Sequence, residues 1–256
     1  MAGQLTKYTS EARMLNDPKD ALLNVVLFDA AILGVMLGCF WAGIFVVRRL
    51  GYPVGYGLGA LGFVRPRIGY FAGAVLGLVI GIGAAFALNF LLVPLTAFVL
   101  EELGYSLRPG MQEPLMRGLG DWIGESPGIA ISVIIFVVVL FGPAIEEIIF
   151  RGALFGSLYK LGLVLSSKLW KRGTKASKAV ENASFVFAAL ASSAMFAPLH
   201  LEPLLLPALF VLAIILCALY RWTGSLLTSF MAHAAFNWFA VSILIFNELG
   251  VLPTQV

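Results

Sequence analysis

The sequence predicts an all-α integral membrane protein, a polytopic bundle of about six transmembrane helices. Three observations carry this. Hydrophobic residues make up 60% of the 256-residue chain and charged residues only 12%, about half the charge of a soluble domain. Mean hydropathy is +0.95. Six segments meet or approach the roughly 20 apolar residues that cross hydrocarbon, at 25–47, 69–99, 129–165, 183–200, 203–220 and 225–247. Helices are the expected spanning element, because lipid cannot satisfy unpaired backbone groups.

Residues 1–20 mix Lys7, Glu11, Arg13, Asp17, Lys19 and Asp20 without an apolar core, unlike a cleavable signal peptide. The first span carries Gly34 and Gly38, and the second carries Gly73, Gly77 and Gly81 at four-residue spacing. Such small residues let helices approach closely, and packing within the fold is the expected use. The second and third spans exceed one crossing and contain Pro94 and Gly142-Pro143. Each is expected to bend, tilt or divide into a span and an interfacial piece, so the count is six or slightly more.

Positive charge sets direction. The 48–68 connection holds Arg48, Arg49, Arg65 and Arg67, and the 166–181 connection holds Lys168, Lys171, Arg172, Lys175 and Lys178. The 100–128 connection is acidic, with Glu101, Glu102, Glu113, Asp121 and Glu125 against Arg108 and Arg117. Six spans put both basic connections and Arg221 on one side, predicted to be cytoplasmic, with both termini opposite. The net charge of +3 is dispersed over loops and excludes a nucleic-acid partner; the lipid bilayer is the expected one. Cys39 and Cys217 lie in apolar runs and form no metal-binding pair. Asn182-Ala-Ser184 matches a glycosylation pattern but abuts a span on the predicted cytoplasmic side, and is discounted. Trp41, Trp122, Trp222 and Trp238 read as interface anchors or packing.

Ionisable residues within a span cost about 2.5–3.5 kcal/mol each on insertion scales, which makes them functional candidates. Glu146, Glu147 and Arg151 lie together in the third span. On a helix Glu147 and Arg151 stand at i and i+4 and can pair, whereas Glu146 is rotated about 100° away. One carboxylate is thus held ionised by arginine, and the other sits in a drier place suited to general-base work. A structural Glu–Arg pair beside a water-filled crevice fits this stretch equally well. His200 and His233, the chain's two histidines, also fall in or at the end of spans. Phe196 shares a helical face with His200 if Pro198 does not disrupt the turn, and His233 shares one with Asn237. Together the set can activate a water and hold an oxyanion. Asp29, near the start of the first span, reads as interfacial.

Glu146-Glu147-x-x-x-Arg151, Phe196-x-x-x-His200 and His233-x-x-x-Asn237 occur in that order on successive apolar segments. In this the chain resembles the CAAX-protease and bacteriocin-processing (Abi) family, over about residues 129–247. The resemblance implies a four-helix catalytic core at 129–247, preceded at 1–128 by an N-terminal tail and two transmembrane helices with loops. It implies that Glu146 deprotonates the attacking water and His200 helps position it. Glu147 and Arg151 would orient the first motif, His233 and Asn237 would donate to the oxyanion, and Phe196 would line the substrate pocket. The substrate would be a membrane protein, lipidated protein or peptide, in the cell membrane of a prokaryote. No cofactor is expected. Zinc is the alternative, with Glu146, His200 and His233 as ligands around an open position. The other class of function is a membrane transporter or proton pathway using the same buried Glu, Arg and His residues; against it, no inverted repeat or paired broken helices are visible.

Overall fold

The computed structural model describes residues 18–49, 55, 57–105, 112–169 and 174–252. Among the described residues there is no strand. Among the same residues six helices are long and apolar enough to cross a membrane, and the chain is a multi-pass integral membrane protein. The N-terminal tail with Lys7 and Arg13, and the loop residues Arg108, Lys171 and Arg172, lie outside the described residues.

Helix α1 is Pro18–Arg49. Helix α2, Tyr70–Glu102, is continuous through Pro94, with one wide (π) turn at Leu88–Leu92 just before it. Helix α3, Gln112–Glu125, lies in the acidic connection. It buries Leu119, Trp122 and Ile123 against Leu22 of α1 and against Ala130 and Ile134. Helix α4 begins with Pro127, where a missing N–H costs nothing, and runs to Leu169. Neither long span splits. In α4 two wide turns, Ile135–Phe141 and Ile148–Phe155, bracket the short α-helical segment Gly142–Glu147. Helix α5 is Lys175–Phe196, started by the Thr174 hydroxyl, which accepts from Ser177 N–H at 3.2 Å. A 3-10 turn, Ala197–His200, extends it. Helix α6 is Leu206–Thr223 and α7 is Leu226–Glu248.

The basic connections meet at one end of the bundle, as six alternating spans require. Arg67 donates from its backbone to Thr223 O at 3.0 Å and from Nη1 to Trp222 O at 3.1 Å, satisfying carbonyls that the end of α6 leaves open. Arg221 donates to Asn182 Oδ1 at 2.8 Å, and Lys160 donates to the Ala60 carbonyl. Gly62 needs its glycine: its φ is 100°, and a Cβ there would lie 2.5 Å from the Tyr220 ring.

The glycine stripe of α2 faces α7. A Cβ on Gly77 or Gly81 would collide with the backbone carbonyl of Thr228 or Ala232 respectively, so the stripe packs within the fold. Gly34 and Gly38 have nothing near them. This close α2–α7 contact fixes the segment of α7 that carries His233.

Candidate active site

The site is assembled on α4, α5 and α7. Glu147 and Arg151 pair one turn apart, Oε1 to Nη1 at 2.9 Å. Both are buried, and the Arg151 guanidinium also lies over the Phe196 ring at 4.7 Å. His233 Nδ1–H donates to the same Glu147 Oε1 at 3.0 Å. Its other nitrogen, Nε2, stands 3.5 Å from Glu146 Oε2. One imidazole therefore bridges the two glutamates. Their side chains differ in access, 1% exposed for Glu147 and 22% for Glu146, though Glu146 Oε2, the oxygen facing His233, is itself buried.

His200 is placed one ring further out. Its Nδ1–H donates to the Phe196 carbonyl at 3.3 Å, so Pro198 does not break the shared face of Phe196 and His200. In the neutral ring this hydrogen bond makes Nε2 the acceptor. The Phe196 ring lies between the histidines, 4.8 Å from His200 and 5.6 Å from His233. Phe196, expected at the substrate pocket, is buried against the cluster's own residues, with Phe150 edge-on at 5.2 Å. The aromatic ring thus accommodates the difference in depth between a histidine at the end of α5 and one early in α7.

Asn237 does not join this hydrogen-bonded cluster. Its Nδ2 donates to the Val138 carbonyl of α4 at 2.9 Å. Ser192 of α5 makes a similar contact further along α4, donating to Phe150 O at 3.0 Å. Neither contact to a wide turn was foreseen from the sequence.

Asp29, read from the sequence as interfacial, lies close to α4 near Gly142. Helix α1 packs on the Gly142–Glu147 segment, and Asp29 Oδ2 would be 4.0 Å from a Cβ on Gly142. Gly142 is one turn before Glu146 on α4. The available signal was the cost of an acid inside a span.

Of the alternative zinc ligands, Glu146 Oε2 and His233 Nε2 stand 3.5 Å apart with Glu147 on the other ring nitrogen, and His200 Nδ1 bonds to Phe196 O. Among the described residues no group of three or more His, Cys, Asp or Glu side chains is arranged to hold a metal ion.

Residues 128–239 match the family described as type II CAAX prenyl endopeptidase Rce1-like. A similar protein is the membrane-embedded CAAX protease MroQ of Staphylococcus aureus (strain USA300), 29% identical over 117 residues, which are 46% of this chain and 41% of that protein. The chain thus spans less than half the length of this relative. No solved structure matches. The matched segment contains all three motifs.

Proposed function

We propose that the chain is an intramembrane endopeptidase that hydrolyses a peptide bond in or near the membrane, with Glu146 as general base. One observation carries the reading: Glu147 is sealed between Arg151 and His233, while the adjacent Glu146 is partly exposed and faces the same imidazole. A purely structural ion pair needs Glu147 and Arg151 and gives no reason for a second, partly exposed glutamate in lipid.

In this reading a water bound between Glu146 and His200 Nε2 gives its proton to Glu146 as its oxygen attacks the scissile carbonyl carbon. The carbonyl π bond opens to an oxyanion. With Nδ1–H committed to Glu147, His233 can donate from Nε2 to that oxyanion only as imidazolium. The Glu147–Arg151 pair holds the ring in the orientation this requires. One such donor is worth about 2.7–4 kcal/mol to the transition state. The oxyanion then collapses, the C–N bond breaks, and the proton on Glu146 passes to the leaving amine. This reading uses no metal. The substrate class follows the family: a peptide or lipidated protein presented at the membrane, in the cell membrane of a prokaryote.

The test is cleavage by purified protein in detergent of two quenched-fluorescence peptides, one with a farnesylated C-terminal CAAX sequence and one unmodified. Wild type should cleave at least one, and Glu146→Ala and His200→Ala should each lose about 10²-fold or more in kcat while remaining folded. Intact cleavage in both variants would remove this site assignment. Proton flux into liposomes that depends on Glu146, without cleavage, would favour the transport reading. Stoichiometric zinc that is lost in His233→Ala would overturn the metal-free mechanism.

A further inference from the structure

We propose that Asn237 is a positioning residue, one that holds open the wide turn before Glu146 and thereby aims Glu146 at His233. The inference deepens the endopeptidase reading and rests on it for its activity arm alone.

The Val138 carbonyl is short of donors for a reason the chain states. In a regular α-helix its partner would be Gly142 N–H, at i+4. Here Gly142 N–H donates instead to Val137 O, five residues back. The next donor in that i+5 pattern would be Pro143, which has no N–H. Val138 O would then be left without a backbone partner in a medium that offers no water, at a cost of a buried unsatisfied acceptor. Asn237 Nδ2 supplies the missing donor at 2.9 Å. The contact joins α7 to α4 four residues before the Gly142–Glu147 segment begins, so it fixes where that short helical segment starts.

The phase of this segment matters. Closing the wide turn to a regular one changes the rotation of everything after it by a large part of the roughly 100° step per residue. Glu146 and Glu147 now straddle one imidazole through Oε2 and Oε1, an arrangement that a change of phase would end. Asn237 and His233 lie one turn apart on α7. The same face of α7 thus sets the angle of the glutamates and receives them. Ser192 donating to Phe150 O does the corresponding service at the second wide turn, Ile148–Phe155.

One N–H of the amide expected to meet the oxyanion is committed to a backbone carbonyl, its second N–H is the one that could reach an oxyanion, and the two roles can be separated. Asn237→Leu keeps the volume and removes the donor. Pro143→Ala returns an N–H to the position that can reach Val138 O. The cycle of wild type, the two single variants and the double variant is measured for kcat and KM on the cleaved peptide and for thermal midpoint in detergent. We expect Asn237→Leu to lower kcat about tenfold or more with KM within about twofold, the scale of one lost buried hydrogen bond and its misalignment. The double variant should regain most of that kcat and of the lost thermal midpoint. Wild-type behaviour of Asn237→Leu would overturn the proposal. So would a loss that Pro143→Ala fails to restore, since the amide would then act on the substrate directly. If Asn237→Leu yields no folded protein, recovery of folded protein in the double variant supports the lock, and failure to recover it overturns it. Failure of the endopeptidase reading would show separately, as full cleavage by Glu146→Ala, and the thermal arm would still decide the lock.

Discussion

At the scale of single residues, Arg151 and Glu147 are both removed from solvent, and desolvating each charge costs several kcal/mol even after relaxation. Their contact at 2.9 Å, the His233 hydrogen bond and the Phe196 ring under the guanidinium offset that cost only while every partner is present. Arg151→Met therefore strands a buried carboxylate, and should lower stability by about 3–5 kcal/mol. Adding Glu147→Gln removes the stranded charge and should return a good part of that loss. It should not return cleavage, because a neutral amide no longer supports the imidazolium that His233 must become. Thermal unfolding in detergent and peptide cleavage, measured on the same samples, check both halves. If the double variant recovers activity along with stability, the Glu147–His233 contact is not part of the chemistry.

At the scale of elements, the α2–α7 contact links packing to the site. Ala232 precedes His233, and its carbonyl occupies the space that a Cβ on Gly81 would need. Gly81→Ala must push α7 away by a fraction of an ångström or more, an overpacking that typically costs about 1–3 kcal/mol. Cleavage should fall by more than stability alone explains, since the displaced backbone carries the ring that bridges both glutamates. Gly83→Ala, with nothing near its position, is the control and should leave both readouts close to wild type. Equal activity losses in the two variants would disconnect this stripe from the site. The stripe, the spans and the three motifs were legible in the sequence because each depends on local spacing: small residues every four positions, about 20 apolar residues in a row, and polar groups one turn apart. The wide turns of α4 were not legible. Pro143 announces a local irregularity, but the choice of an i+5 pattern depends on a donor from α7, nearly a hundred residues away. The bridging role of His233 was hidden for the same reason. Spacing along α4 puts Glu146 and Glu147 on different faces, and only the placement of α7 shows that one imidazole reaches both.

At the scale of the whole molecule, the site is not confined to the segment that matches the family. Residues 128–239 supply the glutamates, the arginine, the histidines and the asparagine, but α1 lies outside that segment and brings Asp29 to the start of the Gly142–Glu147 helix. The N-terminal region thereby contributes a third carboxylate to the neighbourhood of Glu146. Coulomb interactions in a poorly solvated site are several times those in water, so removing that charge changes the field around Glu146. Asp29→Asn keeps the shape and removes the charge. It should lower kcat about 3–10-fold with little change in KM, and should leave the thermal midpoint within a degree or two of wild type, because Asp29 is only half-buried and closes no ion pair with Glu146. A loss in KM alone would place Asp29 on the substrate's path, and an unchanged kcat would return it to the interfacial role its sequence position suggests.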